Sequence, residues 1–515
     1  MPSAPTVSQL AAVLCTGQAG SVGFVDAAGR PCSAEEFARA TGRASFSNVT
    51  YDSRAAGPGA LFVCKGAAFK PSYLVDAVAA GAAAYLAAQP FPSAGVPGVV
   101  CADLRRAMAC AACSFFGDPS HATRVVGITG TKGKTTTAFY LDALLKNRRA
   151  APSGLFTGLV IDDGRTRETS HNTTPEAVEL QRHLARAVEA GCDTVVMEAS
   201  SQGLKYHRTL GTRFAVGLFT NIGEDHISPI EHPTFEDYFA SKLRIFDQSD
   251  CAVVNLGCDR APEVVEAARR APRLLTYADD ASLGADVSLA ALTHEGEGFW
   301  TLDVSTPVGR VEVGLDALGR FNVQNALAAL AAAVALDVDP AVLGQGLRGI
   351  AVPGRMERYD APDGSLVGIV DYAHNGMSME ALLRCVREEF PGRELTVVFG
   401  STGEKAVTRR PGLGHAAGRW ADRIVLTEDD PGRVPVAQIC AELAAAIEEV
   451  GGAGHYTVVE NRAEAVHEAV REARRPGVVV LAGKGAEDAI LRAGGVEPCA
   501  TDAQLICAEL GCTGW

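Results

Sequence analysis

The stretch Val125 to Thr137, VVGITGTKGKTTT, constrains this chain more than any other. A β-branched run reaches a glycine-rich turn, and apolar residues then recur at helical spacing at Ala138, Leu141, Leu144 and Leu145. The spacing predicts strand, phosphate loop and helix. Gly130 and Gly133 permit a backbone whose N–H groups turn inward, and a helix N-terminus adds partial positive charge, so the loop suits a polyphosphate. Lys134 then lies on the β- and γ-phosphates and the Thr135 hydroxyl on Mg²⁺. The spacing is not the strict Walker form, because Ile128 stands where its first glycine would be.

A chain of 515 residues exceeds what one hydrophobic core serves and implies about three domains. The 47 basic and 61 acidic residues leave a net charge of −14, which argues against a general nucleic-acid or acidic-membrane footprint. The N-terminus MPSAPTVSQLAAVLC lacks a charged n-region and a long apolar run, so a cytoplasmic protein is expected. The 14 cysteines are scattered, and Cys110 with Cys113 forms a lone CxxC inside an alanine-rich helical pattern, a setting for core packing rather than zinc or redox chemistry.

Residues 1–122 read as short alternating elements: strands at Asn48–Ser53 and Ala60–Cys64, a helix over Tyr73–Ala84, a loop over Phe91–Gly98 and a helix over Leu104–Phe116. Residues 123–351 form a nucleotide domain. Its strands Thr194–Met197 and Ala215–Phe219 deliver Glu198-Ala199-Ser200-Ser201 and Thr220-Asn221-Ile222-Gly223-Glu224-Asp225-His226 to the carboxyl edge of the sheet, where ligands of open α/β sheets bind. A helix over Phe235–Phe246 carries Lys242, antiparallel strands follow in Val287–Val313, and Gly319-Arg320-Phe321-Asn322 opens an alanine-rich helix. Residues 352–515 again alternate strand and helix, implying a mainly parallel sheet covered on both faces. Gly412, Gly414 and Gly418 have the wrong spacing for a dinucleotide fingerprint and follow Arg409-Arg410-Pro411 rather than a strand.

Thr135, Glu198 and His226 offer ligands that Mg²⁺ tolerates, and none of the cluster reads as a protein nucleophile. ATP-dependent transfer to a bound substrate oxygen or to water is the natural chemistry. Polar groups of the third domain also gather where strands end, at Asp371-Tyr372-Ala373-His374, Glu404-Lys405, Glu428-Asp429-Asp430-Pro431 and Gly483-Lys484-Gly485-Ala486-Glu487. Each alone reads as a cap or a turn.

The ordered strings GTKGKTTT, NTTP, EASS, TNIGEDH, ASKLRIF, GRFNVQN, PGRMER, DYAH and AGKGAE resemble the Mur ligase family, and with the early DSR they are similar to its UDP-N-acetylmuramoyl-tripeptide synthetases. The resemblance runs from about residue 48 to about residue 502. It implies an α/β chain of three domains: an N-terminal UDP-substrate domain, a central P-loop ATPase-type parallel sheet and a C-terminal Rossmann-like domain. It implies ATP and Mg²⁺ as cofactors, and UDP-N-acetylmuramoyl-L-alanyl-D-glutamate and a diamino acid as partners. A monomer is expected, with no nucleic acid and no membrane. The D-glutamate carboxylate is activated as an acyl phosphate, which the amine then attacks.

By the same resemblance Gly130, Thr131, Lys132, Gly133, Lys134, Thr135, Thr136, Asn325, Arg355 and Asp371 contact ATP. Lys134, Glu198, His226 and Lys242 serve catalysis. Thr135, Glu198, His226 and Lys242 serve the metals, Lys242 as N6-carboxylysine. Periodicity alone reads Lys242 as an exposed helix lysine. Ser53, Arg54, Asn172, Thr173, Thr174, Ser200 and Arg208 are implied contacts of the UDP-muramoyl-dipeptide. Members that add meso-diaminopimelate carry Asp-Asn-Pro-Arg where this chain has Asp429-Asp430-Pro431-Gly432, and Lys405 stands at a position usually filled by arginine. Gly432 offers no side chain to a distal carboxylate, whereas Asp430 attracts an ammonium. With Asp429, Gly483 and Glu487 this favours L-lysine. Arg433 stands one position late, and ornithine, diaminobutyrate or meso-diaminopimelate remain alternatives, as do a paralogue in specialised metabolism and a nucleotide-binding scaffold without turnover. The early DSR, Arg208 and the third-domain pocket speak against a folylpolyglutamate synthase, and Cys192, Cys251 and Cys258 do not make the four-cysteine zinc insertion expected of the superfamily's amidotransferase partner.

Overall fold

The computed structural model describes residues 5–66, 68–147, 151–224, 227–228, 231–404, 407–452 and 454–512. The chain folds as two compact units, one comprising Met1–Ala290, Val304–Val311 and Asn325–Gln345, the other Ala291–Asp303, Glu312–Gln324 and Gly346–Trp515.

The first unit begins with strands β1 (Val22–Val25), β2 (Pro31–Cys32), β3 (Val49–Thr50), β4 (Leu61–Val63), β5 (Ala84–Ala87) and β6 (Gly98–Cys101), in sheet order β2-β1-β6-β5-β4-β3. β3 to β6 are parallel, whereas β1 runs antiparallel to β6 and to β2. A helix over Val7–Leu14, capped by Thr6 and Gln9, and the β1/β2 pair escape the sequence reading. The helix expected over Tyr73–Ala84 ends at Ala79, and Ala84 opens β5. Alanine carries no period to mark the change, and Gly81 at φ +102° turns the chain between the two elements.

The central sheet uses β7 (Arg124–Thr129), β8 (Ser153–Phe156), β9 (Val160–Asp162), β10 (Arg167–Thr169), β11 (Thr194–Glu198), β12 (Phe214–Phe219), β13 (Cys251–Asn255), β14 (Arg273–Ala278), β15 (Val287–Gly296), β16 (Phe299–Thr306) and β17 (Gly309–Asp316). Their order is β10-β9-β8-β11-β7-β12-β13-β14-β15-β16-β17. The run from β8 to β15 is parallel, and β9 and β10 add an antiparallel edge, so the sheet is mixed rather than purely parallel. β7, β11 and β12 lie side by side at its middle, which brings the phosphate loop and the two polar strand ends together.

In the second unit β18 (Glu357–Asp360), β19 (Leu366–Asp371), β20 (Glu394–Phe399), β21 (Arg423–Leu426), β22 (Tyr456–Val458) and β23 (Gly477–Ala482) pair in the order β18-β19-β23-β20-β21-β22, parallel except for β18. Strand periodicity divides their side chains between two cores. Val367, Ile369, Val478 and Val480 join one, while Leu366, Val370, Val479 and Leu481 join the other. A small pair, β24 (Ala489–Arg492) and β25 (Gly495–Pro498), follows. Gly412, Gly414 and Gly418 lie on the helix Arg410–Trp420, as a rejected fingerprint should. Cys110 and Cys113 are buried free thiols on the helix Leu104–Phe115, and burial pushes the Cys110 thiol up to about 11. Among the described residues no helix is long and apolar enough to cross a membrane.

Candidate functional site

The phosphate loop is built as its sequence requires. β7 ends at Thr129, and Gly130 takes φ +148° at a place where a Cβ would overlap the Thr220 hydroxyl, so the position requires glycine. Gly133 takes φ +84° beneath Asn325, whose amide oxygen fills the place of a Cβ. The helix Lys134–Asn147 starts directly on the loop, with Thr135 and Thr136 nearly buried in its first turn. The end of β12 braces the loop: Asn221 Oδ1 accepts from Lys132 N at 2.8 Å, the Thr220 hydroxyl donates to Lys132 O at 2.8 Å, and Gly223 N donates to Thr131 Oγ1 at 3.0 Å.

Glu198, 2% exposed at the end of β11, accepts from the Thr135 hydroxyl at 2.8 Å and from Gly158 N at 3.0 Å on one carboxylate oxygen. Thr173 lines the same corner, its hydroxyl 3.5 Å from the position a Cβ on Gly158 would take. Lys134 Nζ donates to Gly130 O at 2.8 Å and to Thr131 O at 3.1 Å. Lys242 is 1% exposed, against the expectation from periodicity, because its helix Phe235–Leu243 packs toward the loop. Its Nζ donates to the same Gly130 O at 2.7 Å, so two ammonium groups converge on one carbonyl oxygen. His226 lies outside the described residues.

The muramoyl-peptide candidates form a second cluster in the first unit. The Thr174 hydroxyl bonds the Ser200 hydroxyl at 3.1 Å and Glu198 O at 2.9 Å. Arg208 donates to Thr174 O at 3.0 Å and pairs with Glu176 at 2.8 Å. The other oxygen of Glu176 meets Lys65 Nζ at 2.6 Å, a partner that no motif signals. Asn172 is exposed at this loop, where its carbonyl accepts from Ser170. Ser53 opens a short 3-10 turn, and Arg54 projects into solvent, forked onto Asp52.

The remaining candidates gather in the second unit. Asp371, at the end of β19, accepts from Met356 N and Ala373 N. The Arg355 guanidinium lies 4.6 Å over the Tyr372 ring. Gly483 takes φ +106°, where a Cβ would meet Asp429 Oδ2 at 2.9 Å. Asp429 is buried, and burial pushes its carboxyl up to about 6 against the pull of Arg462 and Lys484. Lys484, read from sequence only as part of a polar turn, is 1% exposed and central: its Nζ lies 3.8 Å from Asp429, 3.3 Å from Asp430 and 3.0 Å from Glu487. Asp430 also accepts from Leu491 N at 3.0 Å. Arg462 backs the pocket, forked onto Asp502 and donating to Ala482 O. Gly432 adopts φ +58°, with the Glu404 carboxylate 3.7 Å from the position of an absent Cβ, and Arg433 is exposed. Lys405 lies outside the described residues. Hard oxygen donors at Thr135 and Glu198 fit Mg²⁺ in the first unit, whereas a lysine fills the acidic cluster of the second.

Residues 128–333 match the Mur ligase middle domain and residues 354–485 the Mur ligase glutamate ligase domain. A UDP-N-acetylmuramoyl-L-alanyl-D-glutamate–L-lysine ligase of Enterococcus faecalis is 37% identical over 472 residues, covering 90% of this chain and 91% of the relative. A UDP-N-acetylmuramyl-tripeptide synthetase of Bifidobacterium longum is 36% identical, covering 86% and 87%. Among solved structures, a UDP-N-acetylmuramoyl-L-alanyl-D-glutamate–2,6-diaminopimelate ligase superposes with a TM-score of 0.63 at 26% identity, covering 90% of this chain and 95% of its own.

Proposed function

The chain belongs to the Mur ligase family, and we propose that it adds L-lysine to the D-glutamate of UDP-N-acetylmuramoyl-L-alanyl-D-glutamate, with ATP, as a cytoplasmic step of peptidoglycan precursor synthesis. The observation that carries the ligase part is the convergence of the phosphate loop, the Thr135–Glu198 pair and two lysine ammonium groups at the carboxyl edge of one sheet. Residues 1–122, 123–351 and 352–515 are assigned to UDP-substrate, ATP and amino-acid binding.

Loop amides and Lys134 hold the phosphates, with Asn325, Arg355 and Asp371 as further ATP contacts. Thr135, Glu198 and His226 hold Mg²⁺, which when bound offsets the charge of the crowded phosphates. Thr173, Thr174, Ser200 and Arg208 bind the muramoyl-peptide that carries the D-glutamate carboxylate, with Asn172, Ser53 and Arg54 along the rest of the precursor. A carboxylate oxygen attacks the γ-phosphorus, the bond to ADP breaks, and an acyl phosphate forms. The neutral amine then attacks the carbonyl carbon, and phosphate leaves with the C–O electron pair as the amine nitrogen gives up a proton.

Two ammonium groups sharing Gly130 O repel each other, which favours converting one of them. Carbamylation by CO₂ would convert Lys242 to N6-carboxylysine: the ammonium gives up a proton, the freed Nζ lone pair bonds the carbon of CO₂, and the nitrogen releases a second proton. That repulsion would then become attraction to Lys134, and a further metal ligand would be supplied. In the amino-acid pocket Asp429, Asp430 and Glu487 outnumber Lys484, so the cluster retains negative charge for an incoming ammonium, and Gly432 offers nothing to a distal carboxylate. That balance favours L-lysine over meso-diaminopimelate.

The test is phosphate release from purified protein with ATP, Mg²⁺ and UDP-N-acetylmuramoyl-L-alanyl-D-glutamate across a panel of diamino acids. Release coupled to tripeptide with lysine is expected, and Lys134→Ala should abolish it. Coupling to a different diamino acid overturns the specificity, and silence with every amine overturns the ligase reading.

A further inference from the structure

A buried hydrogen-bonded chain, used by none of the steps above, ties three segments of the first unit together. His232 is fully buried. Its Nδ1 lies 2.7 Å from Asp237 and its Nε2 3.0 Å from the Ser201 hydroxyl. A carboxylate only accepts, so Nδ1 carries the proton and Nε2 accepts from Ser201. Burial disfavours a charged imidazole here, against the pull of Asp237. Lys205 closes the set, donating to Asp237 at 2.6 Å and to Glu231 O at 3.1 Å. Ser201 and Lys205 stand one turn apart on the helix Ser201–Lys205, and Asp237 sits in the first turn of the helix Phe235–Leu243, capped by Thr234.

Serine, histidine and aspartate in one hydrogen-bonded chain suggest a nucleophile, but Ser201 is 5% exposed and its helix N-terminus is capped by Ser200. What the chain does hold is the placement of neighbours. The residue after Asp237 is Tyr238, whose hydroxyl meets Thr131 Oγ1 at 3.1 Å, and one helical turn further Lys242 reaches Gly130 O at 2.7 Å. The residue before Ser201 is Ser200, bonded to Thr174. One imidazole therefore connects the helix that carries Lys242 over the phosphate loop with the strand end that carries Ser200.

We infer that His232 is a positioning residue for the ligation reaction: its Nδ1 arm, through Asp237, sets the Lys242 helix against the phosphate loop, and its Nε2 arm, through Ser201, sets Ser200 for the UDP-linked substrate. This rests on the ligase reading above. Displacing a catalytic group by about an ångström costs up to about a hundredfold in rate, so each arm has a measurable share.

The experiment splits the ring into its two halves. The amide of His232→Asn stands near Nδ1 and retains the Asp237 bond, while that of His232→Gln stands near Nε2 and retains the Ser201 bond. Steady-state tripeptide formation is measured for wild type, both variants and Ser201→Ala, with melting temperatures alongside. His232→Gln should lose about tenfold in kcat with the KM for the UDP-linked dipeptide within about twofold of wild type. His232→Asn and Ser201→Ala should raise that KM about tenfold and leave kcat within about twofold. Variants kinetically equal to wild type overturn the inference, as do variants in which kcat and KM move together in step with the melting temperature, the mark of a brace without directional effect. Inactive wild type in the same assay overturns the ligase reading and this inference with it.

Discussion

Ionising a carboxyl group as deeply buried as Asp429 takes the charge out of water, and the nearby cations Arg462 and Lys484 only partly offset that loss, so its pKa rises to about 6. The folded chain therefore binds more protons than the unfolded chain between the unfolded value, about 4, and about 6, and stability falls as pH rises through that window. Asp429→Asn removes this penalty. Its urea midpoint relative to wild type should rise between about pH 4 and about pH 7, a rise that a plot of the midpoint difference against pH would show. The ionised form also attracts the amine substrate, so the wild-type KM for lysine should climb below about pH 6. Asp429 was legible in the sequence because it follows an apolar strand. Lys484 was not, since a glycine-rich turn has no period to show which way a side chain faces. Lys242 misled periodicity for a related reason: its helix is short, and burial comes from Gly130, more than a hundred positions earlier. The partners of His232 lie at Ser201, Lys205 and Asp237, and no spacing rule joins them.

Elements announce themselves where their period is strong. The strands of the second unit carry unbroken β-branched runs such as Val478, Val479 and Val480, and the phosphate loop sits between a strand and a helix of opposite periodicities. The alanine-rich stretch after Tyr73 has no such contrast, and the strand Ala84–Ala87 was lost in it. The glycines of the helix Arg410–Trp420 show how close packing overrides intrinsic propensity. A Cβ on Gly414 would lie 2.7 Å from Ala446 Cβ and one on Gly418 2.6 Å from Val450 Cγ2, so the helix Val436–Glu449 approaches closer than alanine allows. On propensity alone Gly414→Ala would stabilise the helix by about 1 kcal/mol. Overpacking costs about 1–3 kcal/mol, and the backbone oxygen of Leu443 also stands 2.7 Å from that Cβ. A net loss of stability is expected, read as a lower urea midpoint with an unchanged denaturant slope; a higher midpoint would mean that the two helices separate freely.

At the scale of the whole molecule, the phosphate loop with Lys134, Thr135 and Glu198 belongs to the first unit, and the carboxylates assigned to the amine belong to the second. Activation and amide formation should therefore separate by mutation. Forming the acyl phosphate needs Lys134, Thr135 and Glu198 but no contact from Asp429. Intercepting it with the chain's own substrate needs Asp429, whereas a small nucleophile needs no pocket for its side chain. Hydroxylamine supplied in place of the diamino acid should yield the hydroxamate of UDP-N-acetylmuramoyl-L-alanyl-D-glutamate with wild type and with Asp429→Asn, at rates within about threefold of each other, while Lys134→Ala yields none. With lysine as acceptor, Asp429→Asn should fall at least about tenfold in kcat/KM, the scale on which a lost charged contact acts. If Asp429→Asn lost hydroxamate as fully as Lys134→Ala, the two steps would share one set of groups. Buried Asp429 would then contribute to carboxylate activation itself, and the division of labour between the units would be wrong.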